Sequence, residues 1–160
     1  MNTHPLWSNL FRPRPPWRQT AARLFASTPL AEGLVHSSLD ALAQCMHLRR
    51  FHSGEVIFHA GDPGLGMYLI LSGRVEIQLQ GRRLAELDTG DFFGEVALFG
   101  EENRTATACA REPSELAGFF RPDLEEWLAR EPRQGVRLLM NLGRLLAERL
   151  RHSNARLCQR

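Results

Sequence analysis

Apolar residues recur at different periods along this chain, and the changes of period divide it. Leu6, Trp7, Leu10 and Phe11 are spaced as one face of a helix. Residues 12–16, RPRPP, break and stiffen the chain. Trp17, Ala21, Leu24 and Phe25 then repeat the helical spacing before Pro29. Residues 28–50 also read as helical, with Ser38, Leu39, Leu42, Ala43 and Met46 on one face and Ser37 or Ser38 as N-cap. His47 and the Arg49–Arg50 pair would close that helix, where positive charge is favourable.

From 51 to 121 the period shortens. Nine of the thirteen glycines fall between Gly54 and Gly100. Between them lie short runs at 55–58, 67–71, 74–80, 83–87, 105–111 and 115–120. Val75, Ile77 and Leu79 alternate with Glu76, Gln78 and Gln80, as in a strand with one wet face. Many short strands with glycine turns predict an antiparallel β-roll or jelly roll. Residues 122–158 return to helix, with Pro122 and Pro132 at positions where helices begin. Val136, Leu139, Leu142, Leu146, Leu150 and Leu157 approximate a heptad seam. The fold class is therefore α+β: a β-roll flanked by N-terminal helices and a long C-terminal helix. Residues 1–27 read as an aromatic and basic appendage, and 28–160 as the domain.

Composition narrows the function. A hydrophobic content of 43% is ordinary for a globular protein. No stretch approaches the roughly 18 apolar residues of a membrane span, and the N-terminus lacks a secretory signal. Cys45, Cys109 and Cys158 are too few and too scattered for a disulfide frame or metal cluster, which points to a cytoplasmic protein. All 20 basic residues are Arg, and the absence of Lys excludes Schiff-base catalysis and a P-loop. Residues 1–27 carry four Arg and no acid, and 130–160 carry eight Arg against Glu131 and Glu148, so basic ends enclose an acidic body. His52 and His59 stand seven apart, without the His-x-His of a metal-binding jelly roll.

One stretch interrupts the strands with chemistry: residues 93–106, FGEVALFGEENRTA. Gly94 and Gly100 bracket about one helical turn. A bare turn after a glycine offers backbone N–H groups to an anion. Arg104 brings a planar fork that grips phosphate oxygens, and Glu95 can only accept, which suits a sugar hydroxyl. The pieces describe a pocket for a phosphate attached to a sugar.

This stretch resembles the phosphate-binding cassette of the cyclic nucleotide-binding domain family, whose pattern F-G-E-(L/V/M)-A … R-(T/S/A)-A is met by Phe93, Gly94, Glu95, Val96, Ala97, Arg104, Thr105 and Ala106. Residues 54–77 and 84–95 look like that family's β-roll, so the resemblance covers about 28–158. It implies that Glu95 binds a ribose 2′-OH, that Arg104 binds a cyclic phosphate, and that the backbone N–H groups of Ala97 and Thr105 complete the cradle. It also implies that the C-terminal helix covers the base, with Leu142 and Leu146 as the candidate cap. A hydroxyl after the phosphate Arg occurs in members that bind cyclic GMP, so Thr105 permits cyclic GMP beside cyclic AMP. Glu101, Glu102 and Asn103 depart from the family's frequent Pro before the Arg.

The resemblance implies a stand-alone, bacterial-type sensor of cyclic mononucleotides: a binding module, with no cofactor, rather than an enzyme. It would signal through a partner protein, contacted by the appendage or the C-terminal helix, and it could pair as a homodimer. No helix-turn-helix follows the long helix in this sequence, so DNA is not the expected partner. The alternatives are a nucleotide-independent scaffold and the sensor part of a DNA-binding regulator.

Overall fold

The computed structural model describes residues 15–100 and 102–157. Helix α1 (Pro16–Ala26), a 3-10 turn (Pro29–Ala31) and helix α2 (His36–Gln44) precede the strands. The strands are β1 (His47–Phe51), β2 (Val56–Phe58), β3 (Gly66–Ser72), β4 (Val75–Leu79), β5 (Arg82–Leu87), β6 (Phe92–Phe93), β7 (Thr107–Ala110) and β8 (Ser114–Phe120). A second 3-10 turn (Glu95–Leu98) separates β6 from β7, and helices α3 (Arg121–Arg130) and α4 (Pro132–Leu157) follow. The strands form two antiparallel sheets, ordered β1-β8-β3-β6 and β2-β7-β4-β5. This is the expected β-roll with flanking helices.

The apolar run in β3 has a simple cause. Met67, Leu69 and Leu71 face the helices and join one apolar cluster with Phe25, Leu42, Phe119, Trp127, Leu138 and Leu142. The alternate positions Tyr68 and Ile70 face the second sheet and join Val75, Phe93, Ala108 and Leu116. A strand covered on both faces needs no polar alternation. Thus the first sheet is the middle layer of the protein, with helices on one side and the second sheet on the other.

Two sequence expectations are corrected. Residues 47–51 are strand β1, not the end of a helix. β1 is a sheet edge, where charge is tolerated and discourages strand addition; Arg50 Nε donates to Glu115 Oε1 on β8 at 2.7 Å. The N-cap of α2 is Val35, without a side-chain cap, and the Ser38 hydroxyl instead donates to Glu131 Oε2 at 3.1 Å. The expected Leu6–Phe11 face and Cys158 lie outside the described residues.

Helix α1 packs into the helix-side cluster through buried Ala21 and Phe25, with Trp17 and Leu24 beside them. Residues 16–26 therefore share one core with the segment that follows residue 28. On α4, Asn141 Nδ2 donates to the Leu30 and Glu32 carbonyls at 3.0 and 2.8 Å, which ties the long helix to the first 3-10 turn. The leucines of α4 do not form one seam. Leu138 and Leu142 are buried, whereas Val136, Met140 and Leu150 are 64%, 57% and 62% exposed.

Because Phe25 is 2% exposed, Phe25→Ala should destabilise the fold by about 3–5 kcal/mol. Urea unfolding checks this; a change below about 1 kcal/mol would show that α1 is dispensable to the core.

Candidate functional site

The turn Glu95–Leu98 begins at a residue only glycine fits. Gly94 has φ of +78°, and a Cβ there would lie 2.5 Å from Arg104 Nη1. The chain thus turns sharply out of β6 and packs against the guanidinium that returns nine residues after Glu95. Gly64 seats the other side, since a Cβ there would lie 2.6 Å from the Glu102 carbonyl and 2.8 Å from Ala97 Cβ.

The backbone of Arg104 is pinned to the loop between β2 and β3. Its N–H donates to the Asp62 carbonyl at 2.7 Å, and its carbonyl accepts from Gly61 N–H at 2.8 Å. Gly64 N–H donates to the Glu102 carbonyl at 3.2 Å. From the opposite side, Arg121, the first residue of α3, donates to the Ala97 carbonyl at 3.1 Å and to the Gly100 carbonyl. A cation on the carbonyl end of a short helical turn is favourable. The segment 94–104 is therefore held at both ends.

The Arg104 side chain is 8% exposed. Its guanidinium carbon sits 4.1 Å from the Phe58 ring centroid, a cation–π contact. Nη1 donates to the Gly94 carbonyl at 3.2 Å, and Nε is buried with no hydrogen-bond partner. Burial pushes the Arg104 pKa down, opposed by the negative charge potential of Tyr68, Asp62 and Glu95. Arginine still stays protonated. A buried cation with an unpartnered N–H favours an anion beside it.

Glu95 is 3% exposed. Its carboxylate is bonded not by Arg104 but by Arg149 of α4, whose Nη1 donates to Glu95 Oε1. Glu95, Arg104 and Arg149 line one cavity of about 540 Å³ together with Gly94, Val96, Ala97, Thr105 and Ala106. Its wall is apolar, from Phe58, Ile77, Leu84, Ala85, Leu87 and Phe92, and Glu102 and Asn103 stand in it too. The volume suits a small ligand, and the lining combines apolar side chains with a few polar and charged ones.

All seven expected cassette residues come together at this cavity. Val96 and Thr105 are exposed, and Ala97 is buried with its N–H donated to the Gly94 carbonyl at 3.2 Å. Leu142 and Leu146 do not line the cavity: Leu142 is in the helix-side core and Leu146 is half-buried. Sequence reasoning missed Arg149, which lies eleven, seven and four residues beyond Leu138, Leu142 and Leu145. That is helical spacing for the buried face of α4, and an Arg continuing such a row was the available signal.

Comparison with known proteins identifies the family of the chain. The family described as "Cyclic nucleotide-binding domain" matches residues 48–131. The Cyclic AMP receptor protein of Thermus thermophilus is 36% identical over 135 residues, covering 81% of this chain and 61% of that protein. The CRP-like cAMP-activated global transcriptional regulator of Mycobacterium tuberculosis is 31% identical over 139 residues, covering 82% of this chain and 59% of that protein. The chain thus spans about three fifths of the length of these relatives. Among solved structures, Thermus thermophilus Catabolite Activator Protein superposes with a TM-score of 0.73 at 37% identity, covering 81% of this chain and 62% of that one. A cyclic nucleotide-binding domain from Methylobacillus flagellatus gives a TM-score of 0.75 at 24% identity over 89% of this chain and 83% of its own, which speaks to fold alone. The family match takes in the strands, the cassette and α3, more than half of the chain, and the protein belongs to the cyclic nucleotide-binding domain family.

Proposed function

We propose that this chain is a cyclic-mononucleotide sensor module that acts through a partner protein rather than by catalysis. The observation that carries the reading is Arg104: a buried guanidinium with an unpartnered Nε, stacked on Phe58 in the lining of a cavity that also holds Glu95. In this reading Arg104 takes the cyclic phosphate and Glu95 accepts from the ribose 2′-OH. The N–H groups of Ala97 and Thr105 complete the cradle, which requires Ala97 N–H to turn from the Gly94 carbonyl toward the ligand. The base lies against Ile77, Leu84, Ala85 and Leu87, apolar side chains with no polar group to select a purine. Cyclic AMP is the first candidate, with weak discrimination against cyclic GMP. In this reading Thr105, exposed and lining the cavity, accepts from a guanine amino group when cyclic GMP is the ligand. Leu146, three residues before Arg149 on α4, is the candidate to cover the base when the helix closes.

Signalling would pass through residues 1–27, through α4, or through both, in a cytoplasmic setting. Among the described residues no helix is long and apolar enough to cross a membrane. Since α1 is in the core, a deletion that tests the partner role without unfolding the domain stops before Pro15. On α4, Val136, Met140, Gly143, Ala147 and Leu150 follow alternating steps of four and three, a heptad row on the solvent side. The small residues in its middle allow close approach of a second copy, so a homodimer through this row is part of the proposal.

Calorimetry with cyclic AMP and cyclic GMP tests the core of the reading. Arg104→Ala should weaken binding by roughly 10- to 150-fold, the equivalent of ~1.5–3 kcal/mol for a lost charge-assisted hydrogen bond. Unchanged affinity, or no binding of either ligand by the unaltered protein, would favour the scaffold reading or another ligand such as a cyclic dinucleotide. Thr105→Ala should reduce cyclic GMP affinity more than cyclic AMP affinity; equal losses remove Thr105 as a base-reading residue. For the dimer, sedimentation should show a concentration-dependent dimer that Met140→Glu with Leu150→Glu converts to monomer, whereas a monomer throughout would remove it.

A further inference from the structure

Helix α4 gathers unmatched charge on one side. Residues 132–157 hold six Arg against one Glu. Arg133, Arg137, Arg144 and Arg151 recur at steps of four, seven and seven. At 3.6 residues per turn these positions fall within about 40° of one another, in a row roughly 27 Å long. All four are exposed, and among the described residues none of them makes an ion pair or a hydrogen bond. Arginines elsewhere are matched: Arg50 with Glu115, Arg74 with Glu86 and Asp88, Arg111 with Glu76, Arg130 with Glu126. Glu148 stands four residues after Arg144 and three before Arg151, and among the described residues it pairs with neither.

The row works against its own helix. Arg133 stands in a first turn that holds no acid, where a positive charge meets the positive end of the helix dipole. Arg133 and Arg137 are like charges four apart, which also destabilises a helix. A local arrangement that costs stability and is not repaid within the fold marks a surface made for something outside it.

The spacing selects the partner. Along the solvent-side seam of α4, Val136, Gly143 and Leu150 take the d positions of a heptad, and Met140 and Ala147 the a positions. Arg137, Arg144 and Arg151 then all fall at e, and Arg133 takes the a position that opens the seam. Residues at e are matched by residues at g of a parallel facing helix. On α4 itself the g positions are Leu139, Leu146 and Ser153. A parallel second copy therefore brings the row no acid and sets Arg133 against Arg133, and an antiparallel one sets the e arginines against each other. Charges seven residues apart repeat about every 10 Å, the repeat of acids at one heptad position of another helix. Duplex DNA, with one charge per roughly 1.7 Å of its axis, offers no such period. A membrane surface needs a broad apolar face, and Leu138 and Leu142 are already in the core.

We propose, resting on the reading of this chain as a sensor that acts through a partner, that the partner presents an acidic amphipathic helix. Its apolar residues pack on the Val136–Leu150 seam and its heptad-spaced carboxylates pair with Arg133, Arg137, Arg144 and Arg151. It takes the seam in place of a second copy, because it supplies the acids that α4 lacks.

The test uses the full chain and three synthetic helical peptides, each with Leu at a and d and with Glu, Gln or Lys at e and g, followed by fluorescence anisotropy. The Glu peptide should bind in a complex of one chain and one peptide by sedimentation, more weakly as salt is raised. The Gln peptide should bind about tenfold more weakly. Arg137→Glu with Arg144→Glu, its fold established by thermal melting, should lose the Glu peptide and take the Lys peptide instead. Equal binding of the Glu and Gln peptides, two chains per peptide, no exchange of preference in the variant, or tighter binding of a short duplex DNA than of the Glu peptide overturns the proposal. Neither substituted arginine lines the cavity, so the sensor reading fails separately: no binding of cyclic AMP by the unaltered chain removes that reading, while charge-selective peptide binding still upholds the docking face.

Discussion

The organisation of the cavity depends on keeping one guanidinium dry. A buried charge is tolerated only where it is paired or richly bonded. Arg104 meets that condition in part: Phe58 offers a ring face, the Gly94 carbonyl accepts one N–H, and Asp62 and Gly61 clamp its backbone. Each of these partners comes from a different part of the chain. Phe58 ends β2, Gly94 follows β6, and Gly61 and Asp62 lie in the loop before β3. The two sheets must be closed on each other before the site exists, so the fold is a condition of the chemistry.

The same constraint explains the short turn and its attachments. Gly94 is needed because Arg104 Nη1 occupies the space of a Cβ, and Gly64 because the cassette lies against it. Arg121 caps the carbonyl end of the turn from α3, and α3 leads directly into α4, whose Arg149 returns to Glu95. The cassette thus meets the helical layer through buried Leu98 and through two arginines, one at a helix start and one far along the next.

How far the sequence foretold this varies with the element. Most strands of the roll were readable because short apolar runs, alternating in β4, lie between glycine turns. β1 was not, because HLRRF is an edge strand whose exposed Arg residues resemble a helix end. β6 was not, because two residues carry no period. All seven cassette positions were readable from their order along the chain, since the turn is local. α4 was read only in part: Leu142 faces the core while Met140 and Leu150 face solvent, and a row of leucines in one dimension cannot separate two faces of a long helix. Arg149 was hidden among the eight Arg of residues 130–160, because its partner is 54 residues away in sequence.

The central claim is that Glu95 and Arg104 together hold a ribose joined to a cyclic phosphate. Equilibrium titration of the full chain with cyclic AMP and with its 2′-deoxy analogue tests it most directly. The account predicts saturable binding of cyclic AMP and an affinity about tenfold lower for the analogue, because the buried Glu95 carboxylate would lose a hydroxyl donor. Equal affinity for the two, or no binding of cyclic AMP, would contradict it.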